Sequence, residues 1–361
     1  MPWNVIFVST GVGALAILAA FAVSVSGLVY PSPYSPLLVV GALAALVVVV
    51  AWLRRPVWAL YAAVFVVLLP NGLIPASLHS LLNRATTALA LATWLLDAIA
   101  RRRPIVLPPT TLLMLGFVTW SAVTLCWAEH LSISLETLSM YVLRLIVYLF
   151  LIPNEIRSRE ELQGLMTTLA LDGWILVLVS VGTILVRGYT PGVELRVLEM
   201  NVNDLGVRAL VAAPGILWPV IQPAPGRRGL RAALAGIYML LALGLVSLSG
   251  SRGGAISWLA SLLAFLLWKP TRPWGRLALF ALVLGAIGAP ILFARTLERF
   301  AVVPGDTFLG GRELIWQAAA LLIRDHPWWG VGIGHSPWAV RPYLRSLRTV
   351  WGLQYYPVHH P

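Results

Sequence analysis

Two arginines of this chain stand beside paired glycines, a setting suited to binding an anion. Residues 249–254 read SGSRGG, which places Arg252 between glycines, and Arg312 follows two consecutive glycines. Glycine lets the backbone turn sharply and lets a large anion come close, while a guanidinium group donates paired hydrogen bonds to phosphate oxygens. Arg312 also opens a helical pattern, whose positive end favours the same ligand. The alternatives are an arginine that extends to a membrane boundary at 252 and a solvated arginine paired with Glu313 at 312.

A polar cluster marks the start of a later apolar stretch. Asn201, Asn203 and Asp204 lie together here, with Arg196 before them and Arg208 about one turn further on. Polar groups at this depth are costly and often line a site, although Asn203 or Asp204 could instead cap the helix. Arg208 is the more informative residue, because an arginine inside an apolar span needs a partner or a cavity.

Histidines supply the candidate general bases. His359 and His360 are the candidates, because imidazole titrates near neutral pH, and the alternative is that both are plain loop residues. His130, His326 and His335 stand alone and are interpreted as loop residues. No spacing of His, Cys, Asp and Glu on the outer side of the membrane resembles a metal site, and no nucleotide-binding or nucleophile-elbow motif occurs. The sequence therefore predicts no metal ion and no other cofactor.

The elements that must position these residues are membrane spans. Of the 361 residues, 59% are hydrophobic and 11% are charged, less than half of the roughly 25% charged residues in soluble domains. Apolar runs near the ~20 residues that cross a bilayer recur along the chain. The net charge of +12 lies mostly in short loops, where arginines fix topology, so we expect membrane lipids and no nucleic acid as partners. The composition predicts an all-α polytopic membrane protein.

Eleven apolar stretches predict eleven transmembrane helices in this chain. The first, at 5–29, is too long for the core of a signal peptide. The spans lie near 5–29, 37–53, 57–75, 85–100, 107–127, 138–152, 164–186, 204–221, 232–248, 254–268 and 277–293.

The loops between these spans alternate in charge. The five outer loops hold only Arg84, Arg187, Arg196 and Arg252. The other five loops are richer in basic residues. The positive-inside rule places these five loops and the amino terminus in the cytoplasm. The basic residues of those five loops are Arg54, Arg55, Arg101, Arg102, Arg103, Arg157, Arg159, Arg227, Arg228, Arg231, Lys269, Arg272 and Arg276.

These patterns divide the chain into a transmembrane bundle at 1–293 and a periplasmic loop at 294–361. In the loop, a helical pattern runs from Arg312 to about Arg324, and Pro327 ends it. Its apolar stripe consists of Ile315, Trp316, Ala319, Leu322 and Ile323. A second pattern, at roughly 337–351, separates arginines from apolar residues, as in a helix that lies along a membrane surface. We expect the chain to return to the membrane after residue 361, which makes twelve or more spans in the full protein.

Three segments, in this order, resemble the O-antigen ligase / O-antigen polymerase superfamily. The first is NVND at 201–204, and the second is SRG at 251–253. The third is GRELIW at 311–316, followed by HPWWGVGIG at 326–334. The third is the most specific, because a Gly-Arg-x-x-x-Trp helix followed by a Pro-x-x-Gly-x-Gly-x-Gly turn is hard to obtain by chance. The resemblance covers the chain from about residue 140 in motifs and the whole length in the pattern of spans.

The resemblance implies a metal-independent glycosyltransferase of the bacterial inner membrane with its active site facing the periplasm. Family members pass a glycan from undecaprenyl diphosphate to an acceptor hydroxyl, arginines hold the diphosphate, and a loop histidine activates the acceptor. The catalytic candidates are then His360, Arg312 and Arg252. The candidates for substrate binding are Arg196, Asn203, Arg208 and Trp316. The family histidine is typically followed by Asn, Ser or Gln and by further spans, so we expect it just past residue 361, with His360 as the alternative.

The expected partners are an undecaprenyl-diphosphate-linked glycan donor and a glycolipid or glycan acceptor. A ligase that acts on lipid A-core, a polysaccharide polymerase and a protein O-oligosaccharyltransferase share these motifs and differ in the acceptor. A transporter or flippase of lipid-linked glycans is the alternative from another class. Transporters place broken helices and polar residues near the bilayer midplane, whereas the polar residues of this chain gather at the outer edge of the spans, which favours an enzyme.

The first testable prediction concerns topology. Single cysteines placed at 103 and 228 should be shielded in intact cells from a thiol reagent that cannot cross membranes, whereas cysteines at 190 and 310 should react. The physical reason is the excess of arginine in alternate loops. Labelling at 228 from outside would contradict the number of spans and the sidedness built on it.

Overall fold

The computed structural model describes residues 48, 51–188, 197, 200, 202–222, 228–249, 251–267 and 312–350. Over these residues the regular backbone is helical, with no strand, which confirms the all-α class. In chain order the helices are α1 Pro56–Leu68, α2 Ala76–Ala100, α3 Pro109–Val123, α4 Leu131–Arg144, α5 Arg159–Arg187, α6 Val202–Ile221, α7 Arg228–Ser249, α8 Arg252–Leu267, α9 Arg312–Asp325, α10 Ser336–Ala339 and α11 Arg341–Val350.

Five helical stretches among the described residues are long and apolar enough to cross a membrane. They are Pro109–Trp127, Leu131–Glu155, Arg159–Val186, Asn203–Ile221 and Gly229–Val246. The chain is therefore a multi-pass membrane protein. The predicted spans at 5–29 and 277–293 lie outside the described residues, as does nearly all of the span at 37–53, so the total of eleven stays a prediction.

Several helix bounds differ from the predicted spans. The span predicted at 57–75 is a 13-residue helix, α1, that ends at Leu68, because Pro70 has no N–H to continue it. Helix α2 begins nine residues before the predicted start of its span. The helix predicted at 138–152 begins at Leu131, runs on from α4 through a π-helical stretch at Leu145–Leu151 and ends at Glu155.

The chain divides into two compact units. One comprises Met1–Val106 and Phe150–Thr296, and the other comprises Leu107–Leu149 and Leu297–Pro361. The segment at 294–361, predicted to stand as a loop by itself, thus groups almost entirely with the helices at 107–149.

In the first unit, small residues bring α5 and α6 into close contact. A Cβ atom on Gly215 of α6 would lie 2.3 Å from the carbonyl oxygen of Met166 and 2.7 Å from the backbone nitrogen of Ala170. A Cβ atom on Gly173 of α5 would lie 2.5 Å from the Cβ of Ala212. Without a hydrophobic force between helices in lipid, such close approach of backbones supplies much of the association. The α5–α6 pair is thus the centre of this unit.

The loops predicted to be cytoplasmic meet at one end of the first unit. The Arg157 guanidinium donates to the Pro104 carbonyl at 3.2 Å, which joins the loop after α2 to the loop before α5. Arg159 donates to the side-chain oxygen of Gln222, just past the end of α6. These helix ends group as the charge alternation predicts, while their side of the membrane stays a prediction.

In the second unit, α9 packs on α11 through residues that match the predicted stripe only in part. Ala318 and Leu322 of α9 and Leu344 of α11 are buried. Ile315, Trp316 and Ile323 of the predicted stripe are exposed.

The helix predicted at 337–351 is divided at Val340 into α10 and α11. The physical reason is Pro342, which cannot donate the hydrogen bond that would continue α10 into α11.

The packing of α5 on α6 generates the second prediction. Gly215→Ala should lower the free energy of unfolding by about 1–3 kcal/mol, because the added methyl group meets backbone atoms that can move only with their helix. The measurement is thermal unfolding of the purified protein in detergent. Gly236→Ala is the matched control, since no atom lies within 4 Å of a Cβ there. A loss of stability at Gly236 equal to that at Gly215 would contradict the packing explanation.

Candidate functional site

At the end of the first unit opposite Gln222, two of the three motif segments are in direct contact. The Ser251 hydroxyl donates to the side-chain oxygen of Asn203 at 2.7 Å. Asn203 lies in the first turn of α6, and Ser251 directly precedes α8. Residues separated by 48 positions in the sequence thus meet where two helices begin.

Ser251 is also the cap of α8. Its hydroxyl oxygen accepts a hydrogen bond from the Gly254 backbone N–H at 2.9 Å, which satisfies one of the N–H groups that a helix leaves unpaired at its start. The side chain of Ser251 is buried, with 1% of its surface exposed. One buried hydroxyl therefore connects the start of α6 to the start of α8.

Glycines make this contact possible. A Cβ atom on Gly206 of α6 would lie 3.0 Å from the Cα of Gly254 in α8, so the two backbones touch at this point. A Cβ on Gly254 would in turn lie 3.0 Å from the Ser251 hydroxyl. The glycines of the SGSRGG segment, interpreted from the sequence as space for an anion, serve at least in part to seat α8 against α6.

Arg252 is the first residue of α8, directly after the capping serine. This placement sets it at the positive end of a helix, where anions are favoured. Asn203 and Asp204 lie inside α6, which begins at Val202, so neither is the residue that caps the helix from outside. The bond from Ser251 gives Asn203 a role in joining the two helices instead.

Arg208 has the partner that an arginine in an apolar span requires. Its guanidinium donates to the carbonyl oxygens of Leu68 and Leu69, the latter at 3.1 Å. These carbonyls lie at the end of α1, where a helix leaves acceptors unpaired. Arg208 therefore ties α6 to the end of α1, and this contact holds it near the end of α6 that carries Asn203.

In the second unit, the Gly-rich turn lies against the junction of α3 and α4. Gly330, Gly332 and Gly334 have φ of +63°, +89° and +80°, values that residues with a side chain rarely adopt. A Cβ on Gly334 would lie 2.6 Å from the Thr137 hydroxyl. The Ile333 N–H donates to the Thr124 hydroxyl at 3.0 Å. Glycine is thus required in this motif by the positive φ values and, at position 334, by the lack of space for a Cβ atom.

His335, which follows the turn, is a buried and fully hydrogen-bonded residue. Its Nε2 accepts from the His130 backbone N–H at 2.8 Å. The Ser134 hydroxyl donates to the Ile333 carbonyl at 2.7 Å and lies 3.2 Å from Nδ1 of His335, so its oxygen is placed to accept a proton from Nδ1. This network places the ring proton on Nδ1 and engages both ring nitrogens. The interpretation of His335 as an ordinary loop residue misses this role.

Glu129, His130 and His335 are the one group among the described residues whose ligand atoms lie close enough together to hold a metal ion. Coordination needs a free lone pair on each ring. The Nε2 lone pair of His335 is already engaged by the His130 N–H. The arrangement therefore fits a structural contact between two stacked imidazole rings, whose centroids lie 5.3 Å apart.

Helix α9 begins at Arg312, as the motif predicts. Trp316 lies one turn further on, with 59% of its surface exposed. At the other end of the helix, the Tyr343 hydroxyl donates to the Asp325 carboxylate at 2.8 Å, which lowers the pKa of Asp325 and raises the pKa of Tyr343. This bond joins α9 to α11 and fixes the helix that presents Arg312 and Trp316.

The remaining candidates lie outside the described residues. They are Arg196, His359 and His360.

A family model described as O-Antigen ligase matches residues 237–360. The matched segment, about a third of the chain, is similar to the O-antigen ligase family. Members of this family are glycosyltransferase-like enzymes, ligases and polymerases. The match includes the segment at 251–253, α9 and the Gly-rich turn, and so confirms the resemblance for the second and third motif segments, while the segment at 201–204 lies outside it. No curated protein and no solved structure matches the chain.

The contact between α6 and α8 generates the third prediction. Ser251→Ala should lower the free energy of unfolding by about 1–2 kcal/mol, because it removes the cap of α8 and the bond to Asn203. Thermal unfolding in detergent measures the loss. Ser261→Ala is the matched control on the same helix, where the hydroxyl donates only to the Ser257 carbonyl one turn back. If both variants unfold at the same temperature, the bridging role of Ser251 is wrong.

Proposed function

We propose that this protein transfers an oligo- or polysaccharide from undecaprenyl diphosphate to an acceptor hydroxyl, on lipid A-core or a similar glycolipid, at the periplasmic face of the inner membrane. The observation that carries the proposal is the contact of Asn203 with Ser251, which places Arg252 at the start of α8 within a chain that matches the O-antigen ligase family.

The donor requires a site for two phosphate groups at the edge of the membrane. Arg252 supplies a guanidinium at a helix start whose cap is rigidly held, and Arg312 supplies a second one at the start of α9. As the glycosidic bond breaks, negative charge develops on the leaving diphosphate, and guanidinium groups held in place stabilise it. We propose that each of these arginines contributes to holding the diphosphate.

We propose that the other candidate residues bind the substrate or hold the site in position. Arg208, anchored on the end of α1, supports the start of α6 and adds positive charge there. The exposed ring of Trp316 suits stacking on a sugar of the donor. Arg196 comes seven residues before Asn203 in the sequence and is proposed to bind the glycan or the diphosphate.

The acceptor hydroxyl needs a base, and we propose a histidine at the end of the periplasmic segment. Among the residues of the sequence, His360 is the candidate for this role. We further propose that no metal ion takes part, because arginines meet the charge of the leaving group.

A polymerase or a protein O-oligosaccharyltransferase would use the same donor and a different acceptor. A transporter of lipid-linked glycans is the candidate from another class, and the buried carboxyl of Asp172 favours it. Asp172 lies midway along α5 with 1% of its surface exposed, and a polar group at that depth is characteristic of transporters.

An assay with purified components separates these candidates. Protein in proteoliposomes is supplied with an undecaprenyl diphosphate glycan and, in separate reactions, with lipid A-core, free glycan or an acceptor protein. Formation of a glycosylated acceptor supports transfer and identifies the acceptor, and chelator in a parallel reaction tests the independence from metal. Movement of the donor across the bilayer without a product would instead support a transporter.

The fourth prediction concerns the two arginines. Arg252→Ala and Arg312→Ala should each reduce transfer by about 10–100-fold, since a hydrogen bond to a charged group contributes roughly 1.5–3 kcal/mol. Lysine at either position should also be poorly tolerated, because it lacks the paired geometry of the guanidinium. Initial rates of transfer provide the measurement.

Arg324→Ala serves as the control for these variants. Arg324 lies in the last turn of α9, and its side chain is 73% exposed beside Asp325, so its loss should leave the rate unchanged. Full activity in the Arg252→Ala, Arg312→Ala double variant would rule out the proposed diphosphate site.

A further inference from the structure

Three tryptophans of the second unit form a cluster that the proposed chemistry does not use. The rings of Trp120 and Trp329 are stacked, with centroids 6.0 Å apart and planes 23° apart. Trp127 packs edge-on against both, at 6.4 Å from Trp120 and 5.7 Å from Trp329. We refer to Trp120, Trp127 and Trp329 as the tryptophan cluster.

The cluster is held in place from both sides. The Trp127 indole N–H donates to the Trp329 carbonyl at 3.2 Å. Four residues further on, the Ile333 N–H donates to the Thr124 hydroxyl. The turn that carries Trp329 is thus fixed to the end of the apolar stretch Pro109–Trp127, and its position follows from the position of that helix.

The depth of Trp120 places the cluster at the bilayer. Pro109–Trp127 has 19 residues, or on the order of 28 Å of helix at 1.5 Å per residue, which just crosses a hydrocarbon core of about 30 Å. Trp120 comes seven residues before the end of this stretch, roughly 10 Å inward along the axis. Because Trp329 stacks on Trp120, the ring of Trp329 reaches about the same depth along the helix.

The cluster continues the lipid-facing surface of α3. Leu113, Phe117 and Trp120 follow one another at helical spacing and have 76%, 48% and 47% of their surfaces exposed. In a membrane-spanning helix, a continuous exposed apolar face of this kind contacts lipid. Trp329 covers the outer end of that face while 63% of its own surface stays exposed, and the neighbouring Trp328 is 81% exposed.

We propose that the turn at 326–330 inserts Trp328 and Trp329 into the interfacial region of the bilayer and thereby anchors the segment of α9 to α11 to the membrane. Indole rings favour this region, because the ring is apolar and its N–H can meet water or headgroups. The occupant is lipid rather than sugar, since a platform for sugar needs a face open to water, whereas this one extends the lipid-facing side of α3. As a consequence, both ends of α9 are held at a fixed distance from the bilayer.

Collision measurements on a nitroxide spin label test the proposal without reference to activity. Cys126→Ser removes the single native cysteine, and Trp328→Cys then carries the label in proteoliposomes of phosphatidylcholine and phosphatidylglycerol. Trp328 suits substitution because it is highly exposed and lies outside the three-ring contact. Leu113→Cys provides the hydrocarbon reference, and Glu160→Cys, at the exposed start of α5, provides the aqueous reference.

We expect the label at 328 to collide more with dissolved oxygen than with a nickel chelate present on both sides of the vesicles, as the label at 113 does. Collision with the nickel chelate as frequent as at 160 would overturn the proposal. If added oligosaccharide then reduced that collision, the tryptophans would be a platform for sugar. Elution of each labelled variant as a single peak establishes that the result reports on folded protein.

Discussion

The requirement that backbone polar groups find partners in an apolar solvent governs how this chain is built. Inside the helices most N–H and C=O groups pair with their own helix, so outside partners are needed mainly at the helix ends and beside the internal prolines of α6. In the loop before α3, the amide side chain of Asn154 supplies such partners by bonding both the N–H and the carbonyl of Val106 at 2.8 Å. Arg208 supplies them at the end of α1, and Ser251 at the start of α8. Polar residues are therefore concentrated where helices begin and end, and the candidate site is made of the same residues.

The same polar residues serve the helix ends and the candidate site. For this reason, structural and functional roles cannot be assigned separately to the motif residues of the first unit. Ser251 caps α8 and at the same time donates to Asn203, so a change at either residue alters the start of both helices. The close approach of Gly206 to Gly254 leaves no room for larger side chains to replace the contact. Arg252 follows Ser251 directly, so the contact between the starts of α6 and α8 fixes its place in the backbone. Electrostatic stabilisation of a developing charge requires groups that are held in fixed positions.

The sequence predicts the helices well and their partners poorly. Apolar length is a property of one segment, so spans such as the one near 107–127 and the helix start at Arg312 can be read from the chain itself. The partner of Arg208 lies 140 positions away, and the partner of His335 lies 205 positions away. Neither pairing leaves a local signal, because hydrogen bonding of a buried side chain depends on which helices meet. The short α1 could have been predicted from Pro70, whose effect on a helix is local.

In the motif that contains the Gly-rich turn, the residues of the turn itself serve folding. Gly332 and Gly334 take positive φ values and lie in close contact with the α3–α4 junction, and His335 has both ring nitrogens engaged there. His335 therefore has no free ring nitrogen to offer a substrate. What the turn does supply is a fixed end for α9, because it begins where that helix stops and is pinned by Ile333 to Thr124. In the proposed function, the chemical part of the motif is Arg312 at the opposite end of α9, and the turn serves to fix the other end of that helix.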